Sequence, residues 1–198
     1  IGLQDIDIDL QRLSIARECL GSHTLMVDAI MGTNPTKWDF ETALKWTNEL
    51  EMFDTYWLEE PFIPTDAYTY ARLRSKSNIS IAGGEALNQM LEFNLYKDIH
   101  AVDIIQPDVT NSGGIRDCAA IVNTYGKNNT AMHVWGSQVA INANKHFAKA
   151  FDVSYLEVPM MELQINDEIQ SENIGIGIYI SDKVKDKYML NKSKNFKL

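Results

Sequence analysis

Residues 54–85 read DTYWLEEPFIPTDAYTYARLRSKSNISIAGGE: an apolar run ending on Glu59, Glu60 and Pro61, a stretch opened by Asp66, and a second apolar run ending on Gly83, Gly84 and Glu85. Both runs are short and almost continuously apolar, which suits parallel strands covered on both faces rather than half-solvated ones. Asp66 is placed to cap a helix that contains Tyr70, Leu73 and Arg74. The stretch is therefore a β-α-β unit, and each of its strands delivers an acid to its C-terminal end.

The same pattern repeats outward. TLMVDA carries Asp28, VDIIQPD ends on Asp108, TAMHVW carries His133 and SYLEVP carries Glu157. Strands are predicted at 25–29, 56–60, 79–83, 102–106, around His133 and at 154–158. Helices are predicted at 8–20, closed by Gly21, at 88–98, at 115–125, closed by Gly126, and at 137–150. The first has a rough apolar face of Ile8, Leu10, Leu13, Ile15, Ala16 and Leu20. Asn34 and Pro35 read as the N-cap and first-turn proline of a helix running through Phe40, Trp46, Leu50 and Phe53. Strands alternating with helices give an α/β fold of the TIM-type (β/α) barrel kind, whose chemistry sits at the C-terminal mouth of the strands.

Such a barrel needs eight strands, and six precede residue 160. The expected organisation is an incomplete barrel over residues 1–160 and a polar, Lys-rich tail over 161–198 that packs back on it, with GIGIYI as a strand and a frayed end. The chain is expected to be a piece of a longer protein. Asp28, Glu59 and Glu85 converge at one mouth, and three negative charges there repel unless a divalent cation holds them. That marks a hard-metal enzyme.

Composition narrows the partners. The net charge of −9, without a Lys/Arg-rich helical face, argues against nucleic acid and anionic membranes. No apolar run reaches the ~18 residues of a membrane span. Cys19 and Cys118 belong to no CxxC or Cys/His cluster and read as idle or buried thiols in a reducing compartment, so cytoplasm is the expected location. GxSxG, Walker and Rossmann glycine patterns are missing.

MVDA at Asp28, WLEEP at Glu59, IAGGE at Glu85, DIIQPDVTNSGG at Asp108, HVWGS at His133 and YLEVP at Glu157, in that order, resemble the enolase superfamily. Within it, the chain is similar to the mandelate racemase/muconate lactonizing enzyme family, mandelate racemase-like branch, over roughly residues 5–160. The resemblance implies magnesium at Asp28, Glu59 and Glu85, a proton-transfer dyad of His133 and Asp108, and Glu157 beside the substrate carboxylate. It also implies that the N-terminal capping domain and the first two strands, the second with a lysine base, lie outside this chain. Aligned on Gly113 and Gly114, lysine-base relatives carry their lysine where this chain has Asp108, which favours the histidine branch. Asn111 and Ile30 depart from the residues usual in that branch.

These residue types suit the chemistry. Removing the proton beside a carboxylate builds a dianionic enolate, which magnesium neutralises, and an imidazole steadied by a carboxylate moves the proton near neutrality. The expected reaction is dehydration of a sugar acid to a 2-keto-3-deoxy acid; a racemase, epimerase or cycloisomerase, and a non-catalytic binding or assembly remnant, are the alternatives. A homo-oligomer is expected. Glu59 is read as the ligand and Glu60 as turned into a salt bridge. His23, His100 and His146 read as surface or core residues, Trp57 and Trp135 as packing between strands and helices, and Gly113-Gly114 as a tight turn.

Overall fold

The computed structural model describes residues 1–3, 5–159, 169–171, 178–180 and 182. In chain order they form α1 Ile6–Leu20, β1 Leu25–Asp28, α2 Phe40–Met52, β2 Thr55–Glu59, α3 Ala67–Arg74, β3 Ser80–Gly83, α4 Met90–Asp98, β4 Ile104–Ile105, α5 Gly114–Tyr125, β5 Ala131–Met132, α6 Gln138–Phe151, β6 Tyr155–Leu156, β7 Ile169–Ser171 and β8 Ile178–Ile180. Strands β1 to β4 form one parallel sheet in sequence order, and β5 and β6 form a parallel pair. A bridge between Ile105 and Thr130 joins the two. Six parallel strands, each separated from the next by a helix, make the wall of a partial barrel. Beyond it, β7 and β8 pair antiparallel, with Ile169 opposite Ile180. The strand expected in GIGIYI is thus present at Ile178–Ile180, while the rest of that segment and the chain end lie outside the described residues.

Both faces of the wall are apolar, as a parallel sheet requires. On the helix side, Val27, Leu58, Ile81 and Ile105 pack with Leu50, Tyr70, Leu73 and Phe93 in one core. On the inner side, Trp57, Ala82, Ile104 and Ala131 pack together with Tyr155. Side chains alternate along each strand, so Asp28, Glu59, Gln106, His133 and Glu157 inherit the inner side, one step above Met26, Trp57, Ile104, Ala131 and Tyr155. A cavity of about 310 Å³ lies between these two layers.

Three local expectations are corrected. The second helix starts at Phe40, not at Asn34-Pro35: Asp39 caps it by accepting the Thr42 N–H at 2.8 Å. Asn34 instead closes a turn, accepting the Thr36 N–H at 2.9 Å and donating to Gly2 O at 3.3 Å. In α1 the apolar face is narrower than its pattern; Leu13 is buried but Ile8 and Ile15 are exposed, and buried Asp9 accepts from Gly2 N–H and Arg12. Trp135 is exposed rather than packed, and Trp57 lies on the inner side against Tyr155 at 5.4 Å between ring centroids.

Candidate active site

The first two acids are placed by the backbone ladder. Asp28 and Glu59 are register partners on neighbouring strands, and Glu59 pairs in turn with Ala82. Paired residues of a sheet point the same way, so both carboxylates face inward. Glu59 is buried, and its Oε2 accepts from Trp57 Nε1 at 3.1 Å. Burial, then the charge of Asp28, push its carboxyl well above the usual range, against a hydrogen bond with Gln106. Asp28 stands at the more open rim, where desolvation raises its carboxyl and the Ile30 N–H, donated to Oδ1 at 2.7 Å, pulls it back. Glu85 follows the turn after β3. Gly84 makes that turn at φ 117°, a conformation that side chains rarely adopt and that favours glycine.

The dyad is held by side chains. His133 Nδ1 lies 3.2 Å from Asp108 Oδ2, and ionised Asp108 can only accept, so Nδ1 donates. The other ring nitrogen, Nε2, lies 3.6 Å from Glu85 Oε2 and 3.9 Å from Glu157 Oε2. Burial pushes Asp108 up, yet hydrogen bonds from His133, Thr110 and Asn144 outweigh it and bring its carboxyl to about 2. Burial likewise lowers His133, but the bond to Asp108 and the charges of Glu85 and Glu157 raise it to about 9. Burial raises Glu157, opposed by the charge of His133.

Among the described residues, the trio with ligand atoms all within 4.8 Å of one another is Glu85, His133 and Glu157. Asp28 and Glu59 stand outside that trio, coupled to it through charge. Among the described residues Glu60 has no salt-bridge partner. It is buried, with φ 43°, and a Cβ on Gly32 would fall 2.5 Å from its Oε2, so its carboxyl is packed against glycine backbone. Burial, helped by the charges of Glu85 and Asp28, raises its carboxyl to about 8. His23, His100 and His146 are exposed, as expected.

Sequence reasoning missed Asn144, which donates to Asp108 Oδ1 at 2.8 Å, and Gln106, whose amide meets Glu59 from the next strand but one. Asn144 is separated from Asp108 by 36 residues, and one asparagine in an Ala/Asn-rich helix carries no local signal of such a bond. Gln106 sits two residues before Asp108 on the inward phase of β4, a signal that period-2 counting can supply.

Comparison with known proteins bears on the family and the fold. The 3,6-anhydro-D-galactonate cycloisomerase of Zobellia galactanivorans superposes with a TM-score of 0.81 at 30% identity, covering 97% of this chain and 57% of that one. A racemase of Streptomyces coelicolor A3(2), solved with bound magnesium, gives a TM-score of 0.68 at 31% identity over 80% of this chain and 46% of that one. The L-talarate/galactarate dehydratase of Salmonella typhimurium is 27% identical over 196 residues, 93% of this chain and 47% of that protein. The chain therefore spans about half the length of the proteins it matches. Residues 1–176 match the family model for the enolase C-terminal domain-like fold. With that match and an acid-lined parallel barrel wall, the chain belongs to the enolase C-terminal domain-like family of the enolase superfamily.

Proposed function

We propose that this chain forms the catalytic part of a magnesium-dependent dehydratase that converts a sugar acid into a 2-keto-3-deoxy acid. The observation that carries the reading is the placement of His133 Nε2 at the strand mouth with Glu85 and Glu157, while Nδ1 is tied to Asp108. Asp28, Glu59 and Glu85 are the residues that would hold magnesium. Their donors are all oxygen, and the charges of Asp28 and Glu85 raise the Glu59 carboxyl, so the set fits a hard cation. When bound, magnesium supplies positive charge to offset the dianion that develops on the substrate.

In the proposed step, His133, whose protonated form the charges of Glu85 and Glu157 favour, becomes neutral once those charges are offset, and its Nε2 then takes the proton from the carbon beside the carboxylate. Asp108, still accepting from Nδ1, stabilises the imidazolium that results. The C–O bond at the β-carbon then breaks, and His133 returns its proton to the departing hydroxyl, which leaves as water. The enol rearranges to the 2-keto acid. Glu157, whose carboxyl burial raises, donates to the substrate carboxylate in its protonated form. Dehydration needs one base at the carbon, the role given to His133, and one relative of this chain is an L-talarate/galactarate dehydratase.

The test is a panel of sugar acids incubated with the full-length protein and magnesium, assayed for 2-keto product, with His133→Asn alongside. One acid is expected to yield that product, with turnover falling ~10²- to 10⁴-fold in the variant. Accumulation of an epimer or a cycloisomerised product instead would replace dehydration with the chemistry named for the racemase and cycloisomerase relatives.

A further inference from the structure

Asn144 lies wholly buried in the middle of α6. Its Nδ2 donates to Asp108 Oδ1 at 2.8 Å and to Ala140 O at 3.2 Å, and its Oδ1 accepts the Val109 N–H at 3.1 Å. The amide has one workable orientation, because flipping it would set oxygen against the Asp108 carboxylate and NH₂ against the Val109 N–H. Thr110 adds its own N–H at 2.8 Å and its hydroxyl at 2.7 Å to the same Asp108 Oδ1. Oδ1 therefore receives donors from Thr110 twice and from Asn144, while Oδ2 faces His133 Nδ1 at 3.2 Å. Asparagine is a weaker helix former than alanine, so these tertiary bonds, not propensity, account for its place in α6.

We infer that Asn144, with Thr110, is a positioning residue for proton transfer: together they engage Asp108 Oδ1, leave Oδ2 for His133, and so keep a proton on Nδ1 and the Nε2 lone pair toward the mouth. This rests on His133 being the proton-transfer group. A carboxylate fixed through one oxygen cannot swing to offer the other. Asn144 also ties the loop of Asp108–Thr110 to the helix that starts at Gln138, just after the loop that carries His133. Without the amide, Asp108 rotates, and the neutral imidazole populates the tautomer with its proton on Nε2, which cannot accept one there.

The experiment labels the histidine rings with ¹⁵N and reads the His133 nitrogens in the full-length protein, at a pH where the ring is neutral, with His133→Asn to assign the signals. The unaltered chain is expected to show a protonated Nδ1 and an unprotonated Nε2. Asn144→Ala is expected to move the tautomer ratio about tenfold or more toward protonated Nε2, and Thr110→Val, at an exposed residue, by less. A folded Asn144→Ala chain that keeps the original ratio overturns the inference. If that variant does not fold, an unchanged ratio in Thr110→Val overturns it instead. In the full-length protein, Asn144→Ala should lower kcat about tenfold and leave KM and the magnesium requirement alone. A tautomer shift in a protein that turns over no acid would keep the positioning role and remove the dehydratase; turnover without the shift would do the reverse.

Discussion

From β1 to β4 the barrel wall is a continuous ladder, with Asp28 and Glu59 in register and Leu58, Ile81 and Ile105 inaccessible beneath the helices. In β5 and β6, as in β4, the strands are two residues long, but both residues of β6 are only half-buried. Yet His133, at the end of β5, has the more elaborate support, through Asp108, Thr110 and Asn144. Asp28 and Glu59 are thus placed by the strand ladder, and the His133 ring is oriented by side chains. A ladder fixes where a residue sits and which side of the sheet its head group faces. A hydrogen-bonded chain of side chains also fixes which atom carries the proton, which an acid-base group needs and a ligand does not.

Breaking the ladder half should have the largest effect on the fold. Leu58→Ala leaves a cavity in a region with no exposed surface and should cost ~2–5 kcal/mol, against roughly half of that or less for Leu156→Ala in β6. Urea unfolding of the two variants measures the difference. Equal costs would mean that the short strands carry as much of the core as the long ones.

Breaking the side-chain half should spare the fold and strike the chemistry. Asp108→Asn removes the main cause that raises His133, so its titration should drop from about 9 toward the ordinary imidazole value, as read by NMR. Turnover in the full-length protein should fall by about a hundredfold, ~2.7 kcal/mol in the barrier. A His133 titration that stays near 9 would transfer its elevation to Glu85 and Glu157.

The two halves also share a dependence on pH. Glu60 and His133 have folded values above their unfolded ones, about 8 against 4.5 and about 9 against 6.5. Groups raised by folding contribute stability that is full below the unfolded value and lost as pH rises through the folded one. Asp108 runs the other way, at about 2 against 3.8, so its contribution is lost only in acid. Without magnesium, the urea midpoint should therefore decline from about pH 5 to pH 9, and magnesium should flatten that decline. A midpoint that rises over this window would show that the acids of the mouth are already compensated.

The ladder half was the more legible from sequence, because short apolar runs that end on an acid state both strand and site in the same few residues. Glu59, Glu85 and His133 could be placed from TYWLEE, IAGGE and AMHVW alone. The start of α2 was misread because Asn34-Pro35 satisfies the local rule for a helix opening while its side chain is spent on a turn, and Asp39 does the capping. Asn144 and the burial of the Glu60 carboxyl were out of reach. Both depend on what lies across space: an aspartate 36 positions away for one, a glycine on the neighbouring strand's loop for the other. Trp135 was misassigned for the same reason, since an aromatic residue does not say whether anything covers it.

The smallest predicted effect separates the halves at their helix starts. Asp39 and Asp66 cap α2 and α3 through side-chain bonds at 2.8 and 3.2 Å, and Gln89 donates its N–H to Glu92 at 2.9 Å to open α4. Gly113 and Ser137 open α5 and α6 with no such bond. Asp66→Ala should accordingly cost ~1 kcal/mol in unfolding free energy and Ser137→Ala only a few tenths. The reason is that α6 has its fixing point at Asn144, two turns inside, rather than at its end. If Ser137→Ala proves as costly as Asp66→Ala, the end of α6 is what holds the base loop, and the buried amide is left with the orientation of Asp108 alone.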